Sequence, residues 1–514
     1  MNKNKIISAF LLALLIAFLA IRLILIGRID LIPEETYYWE WSRHLALSYY
    51  DMSPMIAYLI AFTTLFGKLN SQFFVRLGGP LITLSLSVFV YLILKKVTGA
   101  RITPLIWAVL LNFVPILNIG SILIVYGNLQ ILFFSLTVLF IVYLIITKND
   151  FYWYLIGIST GLALLSKYTA GFLYLILFSF LVLSKNYRKY FLKKEPYIAF
   201  LISFLLFSPV IIWNYQNNFV SFRHLMTLSG HSGGIGIFLS NLILFLGSQA
   251  GIVSPFIYLF MLISIFAGLY MAFKENNDLY LSLSLAALIP FLYFIYQSTK
   301  TMVQPNWPVF LYFPAYILSF ILIRRFYLSL DIPMAKKAVI LYLAFSFAVG
   351  LSFSVIMFFE PYHPLVNISI SKSPLRDILG WKKLGSLAGK ELGKHKKDDL
   401  LLLARRFQTA SELAYYTPGK PYVYSFNYYF RNNEYSIWNN FKNKKGRNFL
   451  YVIDTKYGKN IETRLCDNFK SCTLVKSITL RHKGQKVRTI KMYILKDFLY
   501  RDKYMFREFS SPEF

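Results

Sequence analysis

Over its first 360 residues the chain alternates long, charge-free apolar stretches with short polar breaks, and at about Phe359 it changes character. A helix that crosses a bilayer takes about 20 predominantly apolar residues. Stretches of that kind lie near 6–27, 75–94, 103–124, 128–147, 151–165, 168–184, 196–213, 236–253, 254–273, 279–297, 307–323 and 338–359. After Phe359 the pattern turns to alternation. Leu400 to Leu403 predicts a buried strand, Gln408 to Tyr416 a helix ended by Pro418-Gly419, and Tyr422 to Ser425 a second strand, which together predict a small α/β domain.

Charge orders these elements. Lys95, Lys96 and Arg101 share one short loop, Lys148 sits in a second, Lys185 to Lys194 form a third, and Arg324, Arg325, Lys336 and Lys337 a fourth. Cytoplasmic loops carry the excess of Lys and Arg, so all four belong inside. An even number of crossings must then separate Lys194 from Arg324, although five apolar segments lie between them; Gly247, Gly251 and Pro255 break the pair 236–253 and 254–273, one of which is expected not to cross. The prediction is a polytopic α-helical membrane protein of about eleven spans, or thirteen if a further segment is split, whose tail lies outside the cytoplasm. The first span, Ile6 to about Gly27, exceeds a signal h-region and has no small-residue cleavage site after it, so it is expected to be retained with its amino end inside. The predicted domains are a membrane domain, 1–359, carrying a large first outer loop at 28–74, and a soluble extracytoplasmic α/β domain, 360–514. Within the loop, 54–66 is too short to span and reads as an interfacial helix. Further outer segments are 214–235 and 298–306.

Composition agrees: 57% of the 514 residues are hydrophobic, more than a soluble core of this size buries. The net charge of +30 is spread over short loops and the tail rather than gathered on one module, which points to membrane lipid and away from nucleic acid. Cys466 and Cys472, both in the tail, read either as a small disulfide loop or as two buried thiols.

Ionisable and aromatic residues are densest in PEETYYWEWSRHLALSYYDMSP, Pro33 to Pro54, directly after the first span. Carboxylates beside hydrocarbon are costly unless paired or used, which makes Glu34, Glu35 and Asp51 candidates for general-base work. Tyr37, Tyr38, Trp39 and Tyr50 read either as interfacial aromatics or as rings that stack on a sugar or acceptor. Glu40 and His44 share a helical face, but the six histidines are scattered, no Cys-rich or His-x-x-His spacing occurs, and no phosphate-binding Gly-rich loop is present. No cofactor and no metal site are predicted.

The segment resembles the first outer loop of the C-type glycosyltransferases, in the bacterial branch related to protein O-mannosyltransferases and to the lipid A aminoarabinose transferase. That branch carries an Asp-Glu pair followed by Ala and an aromatic run, then Tyr-Tyr-Asp-His-Pro-Pro. The likeness continues in SKYTA at 166–170, IIWNYQNNFVSFRHL at 211–225, QPNWP at 304–308, WKKLGSLA at 381–388 and RRFQTASELAYYTPGKP at 405–421. It implies a hexosyl- or pentosyltransferase that moves a sugar, with inversion, from a polyprenyl-phosphate donor to a lipid A, lipopolysaccharide, other glycan or protein acceptor at the outer face of a bacterial inner membrane. By this resemblance Glu34 takes the place of the catalytic Asp, with Glu35 beside it, and Asp51 matches the second acid. Lys167, Arg223 and His224 are implied to hold the donor phosphate. Trp307 and Asn306 read as packing residues, Lys68 and Arg76 as interface anchors. The chain departs from the branch at Glu34, one methylene longer than Asp, at Met52, where the branch has His, and at Asn128, where it commonly has an acid that could hold a metal; divalent metal dependence is therefore not expected. Two other classes fit a many-span chain. A lipid-linked sugar flippase would place its ionisable residues mid-membrane and show paired halves, and neither is found. A silent acceptor-binding protein would tolerate both the Glu34 and Asn128 departures.

Overall fold

A computed structural model describes residues 3–228, 235–359, 375–426, 432–456, 460–502 and 505–506. Residues 229–234 of the predicted loop 214–235, and 360–374 beside the predicted domain boundary, lie outside the described residues. The chain divides into two compact units, one of Met1–Ile26, Met52–Ile56 and Arg76–Phe359, the other of Gly27–Asp51, Ala57–Val75 and Glu360–Phe514.

The first unit is helical. Among the described residues eight helices are long and apolar enough to cross a membrane, from Lys3–Ile26 to Pro333–Ile356. The stretch predicted as one span at 103–124 is instead broken: Ile102–Phe113 and Pro115–Ile122 meet at 70°, and make a ninth candidate only if counted together. Pro115 supplies the break, because its ring fixes φ and its nitrogen has no hydrogen to donate. The segments Phe151–Ser166, Tyr168–Leu183 and Leu239–Val253 form shorter apolar helices. Between the doubtful pair of segments the chain turns at Ser254 (φ 86°), and Pro255 opens the next helix, Pro255–Glu275.

Two devices hold this unit together. The buried Arg22 guanidinium of the first helix donates from Nη1 to Asn112 Oδ1 (2.7 Å) and from Nη2 to Asn118 Oδ1 (2.6 Å), one residue on each limb of the broken helix, and Asn118 donates onward to Ser354 Oγ at 2.9 Å. Helices Phe151–Ser166 and Glu195–Gln216 approach through Gly157 and Gly161. A Cβ on Gly157 would stand 2.5 Å from the Ala199 carbonyl oxygen, and one on Gly161 2.7 Å from Leu206 Cβ. Small residues one helical turn apart let two backbones touch.

The second unit is built on a five-stranded sheet of β1 (Leu401–Ala404), β2 (Val423–Ser425), β3 (Phe449–Asp454), β4 (Phe469–His482) and β5 (Gln485–Phe498), in the order β2-β1-β3-β5-β4. β1 pairs in parallel with β2, as the β-α-β crossover through helix Phe407–Tyr416 requires, and in parallel with β3; β3, β5 and β4 pair antiparallel. The predicted strand-helix-strand run is present. The hairpin β4–β5 turns on Lys483 (φ 48°) and Gly484 (φ 79°), the left-handed pair that a two-residue hairpin demands. A disulfide joins Cys466 and Cys472.

The outer segment packs on this domain. Helix Pro33–Arg43 lies against helix Phe407–Tyr416, where Thr36 Oγ1 donates to Ser411 Oγ at 3.0 Å and Tyr416 Oη accepts from the Leu31 N–H at 2.7 Å.

Candidate active site

Helix Pro33–Arg43 opens with Pro33 in its first turn, and Glu35 returns its Oε2 to the Ile32 N–H at 3.0 Å. This is the reciprocal half of an N-terminal capping arrangement, which occupies Glu35 and leaves it fully buried. Glu34, in the same turn, is exposed. Desolvation raises its carboxyl above the ordinary range, as a general base requires, against the opposing pull of the positive helix end. The two adjacent acids, read together as candidate bases, are thus divided into one that is held and one that is open.

Asp51 is half-buried and accepts a 2.6 Å hydrogen bond from Tyr37 Oη. Tyr37 packs its ring beside Phe407, at 4.6 Å between centroids, and Tyr435, at 5.8 Å. The other rings read as sugar or acceptor contacts are enclosed as well. Tyr38 meets Trp41 edge-on, Trp39 donates from Nε1 to Asn70 Oδ1 and meets Tyr415 edge-on, and none of Tyr37, Tyr38, Trp39 and Tyr50 is more than 5% exposed. Their aromatic surface is spent on packing. Glu40 is buried against Arg43 at 2.7 Å, and burial pushes its carboxyl up to about 7. His44 has left the helix as its C-cap, with its ring beside Trp438. Among the described residues no three His, Cys, Asp or Glu side chains gather as a metal-holding group.

In the first unit Lys167 ends helix Phe151–Ser166 in extended backbone, with Nζ 5.1 Å from the Tyr126 ring centre. It is 5% exposed and lines a cavity of about 290 Å³ with Met52, Tyr126, Thr169, Gln297 and Trp307. Met52 is the residue that follows Asp51 in the chain. Trp307, expected to serve packing alone, is a wall of this cavity. On helix Val220–Leu228, Leu225 and Met226 line the cavity, whereas the implied phosphate ligands Arg223, exposed, and His224, buried, do not. A larger cleft of about 430 Å³ beside Trp153, Tyr174 and Phe200 has no charged side chain in its lining. Arg76, expected at the interface, is fully buried, while Lys68 is exposed. Asn128 caps helix Tyr126–Thr147, accepting from the Val125 N–H at 2.8 Å, a role its position in a turn could have suggested. Gln297 carried no signal, since a glutamine at the end of an apolar helix reads as a boundary.

Residues 51–213 match the family of dolichyl-phosphate-mannose-protein mannosyltransferases. A lipid A galacturonosyltransferase, RgtD of Rhizobium johnstonii, is 25% identical over 292 residues, 56% of this chain; the chain spans 60% of that relative's length. Among solved structures, ArnT of Cupriavidus metallidurans is similar in its apo state, with a TM-score of 0.63 at 12% identity, covering 95% of this chain and 98% of ArnT. The same enzyme bound to undecaprenyl phosphate gives 0.61 at 12% identity, over 98% and 100% of the two chains. The fold of the chain is the one that ArnT shows.

Proposed function

We propose that this chain, which has the fold of ArnT, is a C-type glycosyltransferase that moves a sugar from a polyprenyl-phosphate carrier to an envelope acceptor of the lipid A or related glycan class. The observation that carries the reading is a buried lysine lining a cavity among apolar helices, inside the stretch that matches the mannosyltransferase family. A buried ammonium is costly unless an anion meets it, and a phosphate whose lipid tail lies among the apolar helices is such an anion. The names of the relatives supply the two substrate classes: a lipid A galacturonosyltransferase, and an ArnT that binds undecaprenyl phosphate.

The chemistry follows. The acceptor hydroxyl attacks the anomeric carbon, the bond from that carbon to the phosphate oxygen breaks, and the phosphate leaves on its lipid. Glu34, the open acid of the pair, takes the hydroxyl proton; Lys167 balances the charge that grows on the departing phosphate. One displacement inverts the anomeric centre. In this reading the working compartment is the outer face of the inner membrane, which the distribution of basic loops supports and which suits the disulfide between Cys466 and Cys472.

Full-length protein in lipid vesicles, given undecaprenyl phosphate galacturonate and lipid A, is expected to yield a product heavier by one uronic acid in mass spectrometry. Lys167→Met and Glu34→Gln should each lower the rate about a hundredfold or more. The reading is lost if no undecaprenyl-phosphate hexose, uronic acid or pentose is consumed and deletion of the gene leaves envelope lipids and glycans unchanged.

A further inference from the structure

The C-terminal domain reaches the acidic outer segment through one buried carboxyl that sequence reasoning did not single out. Glu434, first residue of helix Glu434–Trp438 and 2% exposed, accepts at Oε2 a 2.6 Å hydrogen bond from the Tyr50 N–H. Its own N–H donates to Tyr37 Oη at 2.8 Å, and Tyr37 Oη donates its proton to Asp51 Oδ2 at 2.6 Å. Two arms therefore run from a single residue to the same point. One fixes the backbone immediately before Asp51, and the other fixes the hydroxyl bound to its carboxylate. A fold that needed only to bury a loop would not require both, because the rings of Tyr37, Phe407 and Tyr435 already supply the apolar contact.

We propose that Glu434 and Tyr37 are positioning residues that hold Asp51 for the transfer reaction, so that the C-terminal domain supplies part of the active site. The inference rests on the reading of Asp51 as a site residue.

The arrangement also explains how a second carboxyl can sit beside Asp51. Burial, and then the neighbouring Asp51, push Glu434 up to about 8, so at neutral pH it is protonated and adds no charge. Among the described residues, the other titratable groups facing it are Tyr37 and Tyr49 from the outer segment and Tyr422 from its own domain; burial pushes all three phenols up, and they stay neutral over the same range. Above about pH 8 Glu434 ionises; the Tyr50 N–H holds the anion more firmly, but repulsion between it and Asp51 works against the placement of the Asp51 carboxylate. A glutamine there reproduces the neutral acid, keeping an oxygen for the Tyr50 N–H.

The test uses full-length protein in lipid vesicles with undecaprenyl phosphate galacturonate and lipid A, or the donor that proves active, and compares Tyr37→Phe, Glu434→Ala, Glu434→Gln and Asp51→Asn. Tyr37→Phe and Glu434→Ala are expected to lose about tenfold to a hundredfold in kcat with little change in donor KM, the size that a small displacement of a reacting group produces. Glu434→Gln should recover most of that rate and lack the fall in rate that is expected of the parent protein above about pH 8. Exchange of the Tyr50 amide hydrogen should quicken in Glu434→Ala but not in Glu434→Gln, at unchanged melting temperature of the membrane helices. If Asp51→Asn is inactive while Tyr37→Phe and Glu434→Ala turn over as the parent does, or if Glu434→Gln fails as badly as Glu434→Ala, the inference is overturned. If Asp51→Asn is itself fully active, what fails is the reading of Asp51, and the inference falls with it.

Discussion

At the scale of single residues, the sharpest distinction lies between neighbours. Glu34 and Glu35 are chemically identical and adjacent, yet one is exposed and the other is buried with its oxygen on the Ile32 N–H. Glu34→Gln is expected to lower the rate of transfer about a hundredfold or more while leaving the melting temperature where it was, because an exposed side chain carries little stability. Glu35→Ala should cost stability, about 1 kcal/mol for the lost cap and more for the space left behind, and should be read first as a lower melting temperature. Equal effects of the two changes on both measurements would refute this division. The sequence pattern selects the pair but cannot separate its members, since the difference is a matter of which carboxyl turns back onto the helix end. The four aromatics show the opposite difficulty. Tyr37, Tyr38, Trp39 and Tyr50 satisfy either reading by type, and only the folded chain, which sets Phe407 and Tyr435 against Tyr37 and Tyr415 against Trp39, shows how little of the four is left exposed.

At the scale of elements, long apolar runs are legible because a bilayer leaves a backbone few options, and the helices fall close to where hydropathy puts them. The break at Val114–Pro115 was not legible, since a proline inside an apolar run can equally kink a single helix or divide it. Packing was hidden too. Gly157 and Gly161 read as ordinary small residues until the facing backbone of 199–206 is seen against them. Gly161→Val is expected to force the two helices apart, because its side chain would meet Leu206 Cβ and the Ser203 Cα, at 2.7 and 3.1 Å from the new Cβ alone. The cost should be about 2 kcal/mol or more, as overpacking against backbone gives. Thermal unfolding in detergent checks it, with Gly171→Ala, whose Cβ meets nothing within 4 Å, as the control.

At the scale of the whole molecule, the order of the sequence is not the order of the folded parts. The acids of the site and the sheet domain belong to one compact unit although more than 280 residues of largely membrane helix separate Val75 from Glu360 in the chain. A linear reading divides the chain near Phe359 and finds a self-contained tail, because composition changes there; it has no way to register that Thr36, Leu31 and Asn70 bond to Ser411, Tyr416 and Tyr415. The consequence can be measured. Residues 375–514 expressed alone keep the sheet and its apolar core of Leu403, Tyr451 and Leu495, but they uncover the face of helix Phe407–Tyr416 that helix Pro33–Arg43 covers, together with the buried Glu434. An apolar face left bare in this way drives association. The fragment is therefore expected to aggregate or to bind a hydrophobic dye. Fusing residues 27–51 ahead of it through a flexible linker should restore a soluble monomer, with the Tyr50 amide again protected from exchange. A fragment that is monomeric and dye-free without the outer segment would mean that the segment merely rests on a finished domain.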